Sequence, residues 1–269
     1  VFILVPTIAP ALGQAILGVA GWRAIFVMLL VLAMIAVVWF WWRQPETLAE
    51  EHRVPLSPKR IATRFVDVCT NRLVIGHSIA GGLVFSSFVG YLISCQQILQ
   101  QQYNLGTLFP IFFAALSLPI GAASLTNGRL VMRFGMQRLS IWALSLNTVT
   151  AIVFCLVTWQ TGGHPALWLA MTFFCILFFC FGILLGNFNA LAMEPLANAA
   201  GIGAAIVGSI STFISLSLGT MIGQAYDGTL WPLSVGFSVL GVAAILMFLW
   251  TERARDRGIT IIGGRAETK

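Results

Sequence analysis

The sequence predicts an all-α polytopic membrane protein, and three observations predict it. Of its 269 residues, 58% are hydrophobic and only 9% are charged, where soluble domains carry about 25% charge. Mean hydropathy is +0.91. The charge-free stretches 1–22, 24–42, 73–128, 139–193, 195–226 and 228–251 supply the roughly 20 apolar residues that a helix needs to cross the hydrocarbon. A soluble globule, a disordered chain, collagen and a coiled coil are excluded by such sparse charge and such long aperiodic runs. A β-barrel would need short alternating segments, and no other non-helical backbone satisfies its polar groups in lipid.

The stretches 73–128 and 139–193 must each double back, so about eight helices are expected, near 1–18, 22–42, 73–94, 108–128, 139–159, 166–190, 202–225 and 231–251. The first carries Pro6, Pro10 and Gly13; proline removes a backbone bond and kinks a helix, and glycine admits a close neighbour. The second opens at Trp22, a residue type that anchors at a membrane interface, and stops at Arg43 and Pro45. Residues 43–72 form a long basic connection that divides two spans from six. Within it, Ser57 is placed to cap a helix with Pro58 at its first position and Leu56 stapled onto Ile61. Ile61, Phe65 and Val68 would share its apolar face, as on an interfacial helix.

The third span holds the polar and aromatic candidates His77, Phe85, Ser86, Phe88 and Tyr91. The fourth ends at Gly128-Arg129-Leu130-Val131-Met132-Arg133-Phe134-Gly135, expected as a tight turn. The sixth carries Asn187 and Asn189 and is followed by Glu194. The seventh spaces Ala204, Gly208, Thr212, Ser215, Gly219 and Gly223 along one face, a pattern that lets helices pack closely. The eighth ends at Glu252, and 252–269 is a basic tail.

With these spans the connections alternate sides, and every Lys and Arg except Arg23 falls on one side. That asymmetry makes the basic side and the C-terminus cytoplasmic, and it assigns the net charge of +6 to topology rather than to a nucleic-acid partner. The five cysteines form no CxxC pair and read as packing residues. His52, His77 and His164 lie far apart, so no metal site and no resident cofactor are expected. Val1 opens inside a span with neither an initiator Met nor a basic leader, and the chain is expected to be a C-terminal fragment lacking its first four spans.

Several strings then carry a resemblance. Ala9-Pro10 and Gly13-Gln14 are similar to the Gly-Pro-x-x-Gly-Gly motif that ends the fifth helix of drug/proton antiporters, with Ala for the first Gly and Gln for the last. Trp22-Arg23-Ala24-Ile25-Phe26 and Pro45-Glu46-Thr47-Leu48 look like the entrance and exit of the sixth helix. Gly128 to Gly135 resembles the second copy of a Gly-x-x-x-Asp-Arg-x-Gly loop, with Met132 in the Asp position. Gly186-Asn187-Phe188-Asn189 through Glu194-Pro195, with Gly223-Gln224-Ala225-Tyr226-Asp227-Gly228, is similar to the tenth and eleventh helices of the bicyclomycin-resistance (Bcr/CflA) group of multidrug exporters in the major facilitator superfamily.

The resemblance implies a major facilitator fold represented from its fifth to its twelfth helix, in a bacterial inner membrane. Residues 1–42 would close the N-terminal half, 43–72 would be the central cytoplasmic loop, and 73–251 would be the six-helix C-terminal half. It further implies a transporter rather than an enzyme, exporting drug-like or amphipathic molecules by alternating access in exchange for protons. Partners would be substrate, protons, lipid and the missing helices. Pro6, Pro10, Gly13, Gly128, Arg133, Gly135, Glu194 and Glu252 would belong to the gating motifs. His77, Phe85, Ser86, Phe88, Tyr91, Asn187 and Asn189 would line the central cavity, with His77 the one titratable candidate inside a span. A metabolite or sugar transporter of the same fold is the alternative. An intramembrane enzyme would need clustered acid and base groups, and no Asp or Glu falls in mid-span. Finally, Glu194 and Glu252 both end helices, where the partial negative charge of the terminus disfavours a carboxylate. A shared arginine, Arg133, is expected to relieve both.

Overall fold

The computed structural model describes residues 12–13, 15–45, 58–196 and 200–256. Seven helices among them are long and apolar enough to cross a membrane. The expected first span falls largely outside the described residues, as do Pro6 and Pro10, the Ser57 cap and the Leu56 staple; residues 15–20 are helical.

Helix α1, Trp22–Arg43, buries none of its residues. Trp22 stands at one end and the exposed Trp41 and Trp42 at the other, the arrangement of interfacial aromatic belts. A short helix, α2 (Pro58–Thr70), precedes the bundle. Its Val68 is buried with Val74, Ala192, Leu196, Ile206 and Val207, while Phe65 stays exposed. Only Asn71 separates it from α3, Arg72–Gln96, which it caps by accepting from the Leu73 and Val74 amides at 3.0 and 3.3 Å.

Five more long helices complete a six-helix bundle: α4 (Phe109–Phe134), α5 (Met136–Gln160), α6 (Leu167–Met193), α7 (Ala200–Gln224) and α8 (Trp231–Asp256). Successive short connections make neighbours in sequence antiparallel. Helix α3 is the centre, packed against α6, α7 and α8, while α5 closes on α6 and α8 and α4 on α6. Helices α4 and α7 are the least buried of the six, because each leaans on one principal neighbour.

The helices outrun their apolar stretches. A charge ends a hydrophobic run without ending a helix, so α4 continues through Gly128, Arg129 and Arg133 to Phe134. The turn expected over Gly128–Gly135 is therefore confined to Gly135, whose φ of +81° suits glycine and few other residues. At the far end of α3 the chain continues as a π-helical segment, Gln97–Gln102, past the predicted boundary at 94.

Every described Asp, Glu, Lys and Arg side chain of the bundle except Asp227 lies at the end shared by the α3 and α7 N-termini and the α4, α6 and α8 C-termini. The opposite end is joined by neutral hydrogen bonds. The Gly163 carbonyl accepts from the Leu230 amide at 3.0 Å and from Gln102 Nε2 at 3.1 Å. Tyr103 donates to the Pro165 carbonyl at 2.8 Å and Tyr226 to Gln102 Oε1 at 3.3 Å. Three connections that are distant in sequence thus meet there.

Candidate functional site

Two groups of side chains stand out, one between α3 and α6 and one at the charged end where α3 meets α8. The first is a column of aromatic rings. Phe85 stacks on Phe181 at 5.7 Å, Phe88 on Phe181 at 4.5 Å, and Tyr91 meets Phe178 and Phe174 at 4.8 and 5.2 Å. The column arises because Phe85, Phe88 and Tyr91 recur at three-residue spacing on one face of α3, and Phe174, Phe178 and Phe181 at spacings of four and three on one face of α6. Phe85 and Phe88 are half-buried, and Tyr91 is buried with no hydrogen-bond partner for its hydroxyl.

A polar pair joins α4 to α6. Asn127 of α4 donates through Nδ2 to Asn187 Oδ1 of α6 at 2.9 Å, which leaves Asn127 Oδ1 and Asn187 Nδ2 buried without partners. Asn189 is exposed on the same helix. Ser86 turns away from the column: its Oγ donates to the Gly82 carbonyl at 2.7 Å and to the Ile214 carbonyl of α7 at 3.2 Å. It fastens α3 to α7. Beyond it α3 and α7 come so close that a Cβ on Gly219 would lie 2.7 Å from Val89 and 2.8 Å from the Ser86 carbonyl. The small-residue face of α7 is thereby divided: Ser215, Gly219 and Gly223 are buried, whereas Ala204, Gly208 and Thr212 are exposed.

The second group is charged. His77 is wholly buried, with its ring 5.7 Å from that of Phe248 and 6.4 Å from that of Phe188. Its Nδ1 stands 2.8 Å from the Leu73 carbonyl and its Nε2 3.0 Å from Glu252 Oε1 of α8. The helices are in direct contact here, since a Cβ on Gly76 would overlap Thr251. Arg255 then meets Glu194 at 2.8 Å and stands 3.6 Å from the second oxygen of Glu252.

The structure corrects the expected cation. Arg133 is exposed and its guanidinium lies 5.2 Å from the centre of the Phe134 ring; Arg255 joins the two carboxylates. The reason is geometric: Arg133 is carried on α4, which packs on α6 and not on α8, whereas Arg255 shares α8 with Glu252 at i,i+3. That spacing was the overlooked signal. Asn127 was overlooked too, although it is a polar residue within a span. Of the other gating residues, Gly128 is helical and exposed, Gly135 makes the turn, and Gly13 is helical and half-buried. Among the described residues no group of His, Cys, Asp and Glu could hold a metal ion.

Comparison with known proteins agrees with this architecture. The family model of the Major Facilitator Superfamily matches residues 1–220. A bicyclomycin resistance protein homolog of Haemophilus influenzae is 23% identical over 264 residues, an alignment covering 96% of this chain and 65% of that protein. The chain thus spans just under two thirds of the length of this curated relative.

Proposed function

The chain belongs to the Major Facilitator Superfamily, and from that premise we propose that it is part of a secondary active transporter that exports drug-like or amphipathic molecules in exchange for protons across a bacterial inner membrane. The aromatic column between α3 and α6 is the observation that carries the reading. Phe85, Phe88, Tyr91, Phe178 and Phe181 give an extended apolar wall, and the Asn127–Asn187 pair between α4 and α6 keeps one acceptor and one donor uncommitted. Apolar walls with few polar groups suit amphipathic ligands. The name of the Haemophilus influenzae relative is in keeping with a drug as substrate.

The packing supports a second half on the other side of that wall. Helices α4 and α7 bury little of themselves, and Ala204, Gly208 and Thr212 offer a small-residue face to another helix. Transport would proceed by the two halves rocking about the wall, with the charged end in the cytoplasm and the neutral end outside. Drug accumulation in cells making the full-length protein tests this. Lower accumulation that an uncoupler restores is expected. Unchanged accumulation, or efflux indifferent to the uncoupler, would overturn the reading, and efflux of polar metabolites alone would favour a metabolite exporter.

A further inference from the structure

We propose that His77 and Glu252 together form a proton-binding site at the charged end of the bundle, holding one proton between His77 Nε2 and Glu252 Oε1. The assignment follows from what each atom is able to donate. Nδ1 of His77 lies 2.8 Å from the Leu73 carbonyl, and a carbonyl only accepts, so Nδ1 carries a hydrogen. A neutral imidazole protonated at Nδ1 has only a lone pair at Nε2. An ionised carboxylate also has only lone pairs. The 3.0 Å contact between Nε2 and Oε1 therefore requires one further proton, as imidazolium with carboxylate or as imidazole with carboxylic acid.

The proton balance is simple. The empty pair carries the single negative charge of Glu252, and one proton taken from water at that end brings the pair to neutrality. No bond between heavy atoms forms and nothing is oxidised. The pair is built for this ligand: His77 is completely enclosed, and Glu252 is only 19% exposed, so water scarcely competes for the contact.

The surrounding charges set its consequences. On α8, Arg255 stands 3.6 Å from Glu252 Oε2 and reaches Glu194 after α6 at 2.8 Å, while Arg253 is exposed. On α3, Arg72 is committed elsewhere, donating to the Trp250 carbonyl at 2.6 Å with its guanidinium 3.7 Å from that ring's centre. Asp67 of α2 is half-buried, and α7 contributes no Asp, Glu, Lys or Arg. With the proton bound, α3 is tied to α8, and through Arg255 to the end of α6. Without it, two lone pairs oppose each other where α3 and α8 already touch at Gly76 and Thr251, and Glu252 is left to Arg255 alone. Loss of the proton thus removes this tie between α3 and α8, while the packing of α3 on α6 and α7 stays. A role for the site in proton coupling rests on the export reading above; proton binding itself does not.

Ring-15N-histidine labelling tests the site directly, because this chain has three histidines and His77→Gln identifies the His77 signals. In the purified full-length protein, Nδ1 is expected to keep its hydrogen at every pH while Nε2 and Glu252 share a proton that leaves as pH rises. In Glu252→Gln, Nε2 is expected to be a bare acceptor at neutral pH. Retention of hydrogen at Nε2 with a bare Nδ1, or signals that Glu252→Gln leaves unchanged, would overturn the site. Should Glu252→Gln fail to fold, the unmodified protein's tautomer still decides. In transport assays both variants are expected to lose efflux driven by a pH gradient. If they keep it, the coupling role falls while the export reading stands; if no version exports drug, the export reading falls and the labelling alone judges the site.

Discussion

Arg255 meets Glu194 at 2.8 Å across 61 residues of chain, joining the last turn of α8 to the 3₁₀ turn that follows α6. Both carboxylates near it are helix-terminal, where the backbone's own partial charge is negative. The arginine offsets that charge and fastens two helix ends that otherwise meet water.

Arg255→Ala should lower thermal stability, though modestly. Glu194 is 53% exposed, and solvent screening holds such pairs to about 0–1 kcal/mol. A double-mutant cycle of Arg255→Ala with Glu194→Gln should show coupling of about 0.5 kcal/mol. The same cycle with Arg133→Ala should be additive, since Arg133 lies over Phe134 and away from both carboxylates.

Gly219→Val should destabilise the bundle by about 1–3 kcal/mol, the usual cost of forcing volume into a packed interface. Its Cβ would stand 2.7 Å from Val89 and 2.8 Å from a carbonyl that cannot rotate away. Gly208→Ala meets nothing within 4 Å and should leave the melting temperature of this chain unchanged. In the full-length protein, a loss of efflux in Gly208→Ala would identify that face as the seam with the other half.

Tyr91→Phe should leave stability unchanged or raise it by up to about 1 kcal/mol, because a buried hydroxyl without a partner costs about 1–3 kcal/mol and the ring contacts with Phe174 and Phe178 remain. Reduced efflux of substrates bearing hydrogen-bonding groups, with apolar ones unaffected, would show that the hydroxyl meets substrate.

The connection between α7 and α8 should weaken in acid. Asp227 accepts from the Thr229 hydroxyl at 2.7 Å and the Thr229 amide at 3.0 Å, and this hydrogen bonding holds its carboxyl below the usual value. A depressed carboxylate stabilises the fold above its unfolded pKa of about 3.9 and ceases to do so as pH falls through the lower folded value. Hydrogen exchange at Thr229 and Trp231 should therefore rise with acidification in that range, and Asp227→Asn should remove the pH dependence.

Cysteine labelling should establish orientation. In a cysteine-free background, Gln160→Cys at the neutral end should react with an impermeant reagent from outside, and Arg253→Cys at the charged end only from the cytoplasm; both positions are exposed. The reverse pattern would invert the topology.

The seven membrane-long helices among the described residues were legible because the charge gaps register lipid thickness, a one-dimensional property that survives in sequence. Helix ends were less so: α4 passes Arg129 and Arg133 and stops only at Gly135, since backbone conformation rather than polarity decides a terminus. The candidate side chains were legible as types, but their partners were not. Ser86 proved to serve the α3–α7 contact, and the two carboxylates found Arg255 instead of Arg133. Which face of a helix meets which neighbour depends on rotation about the helix axis, and in a span apolar all round nothing in the periodicity fixes that angle.

The bundle's two ends respond differently to solution conditions. Neutral hydrogen bonds centred on the Gly163 carbonyl carry no net charge for ions to screen. The ion pairs at the other end do, and at physiological ionic strength screening already acts over about 8 Å. Added salt therefore loosens one end and leaves the other clasped. A change of ionic strength at one membrane face is thereby felt at the Glu194–Arg255–Glu252 cluster and not at the hydrogen-bonded clasp on the opposite face.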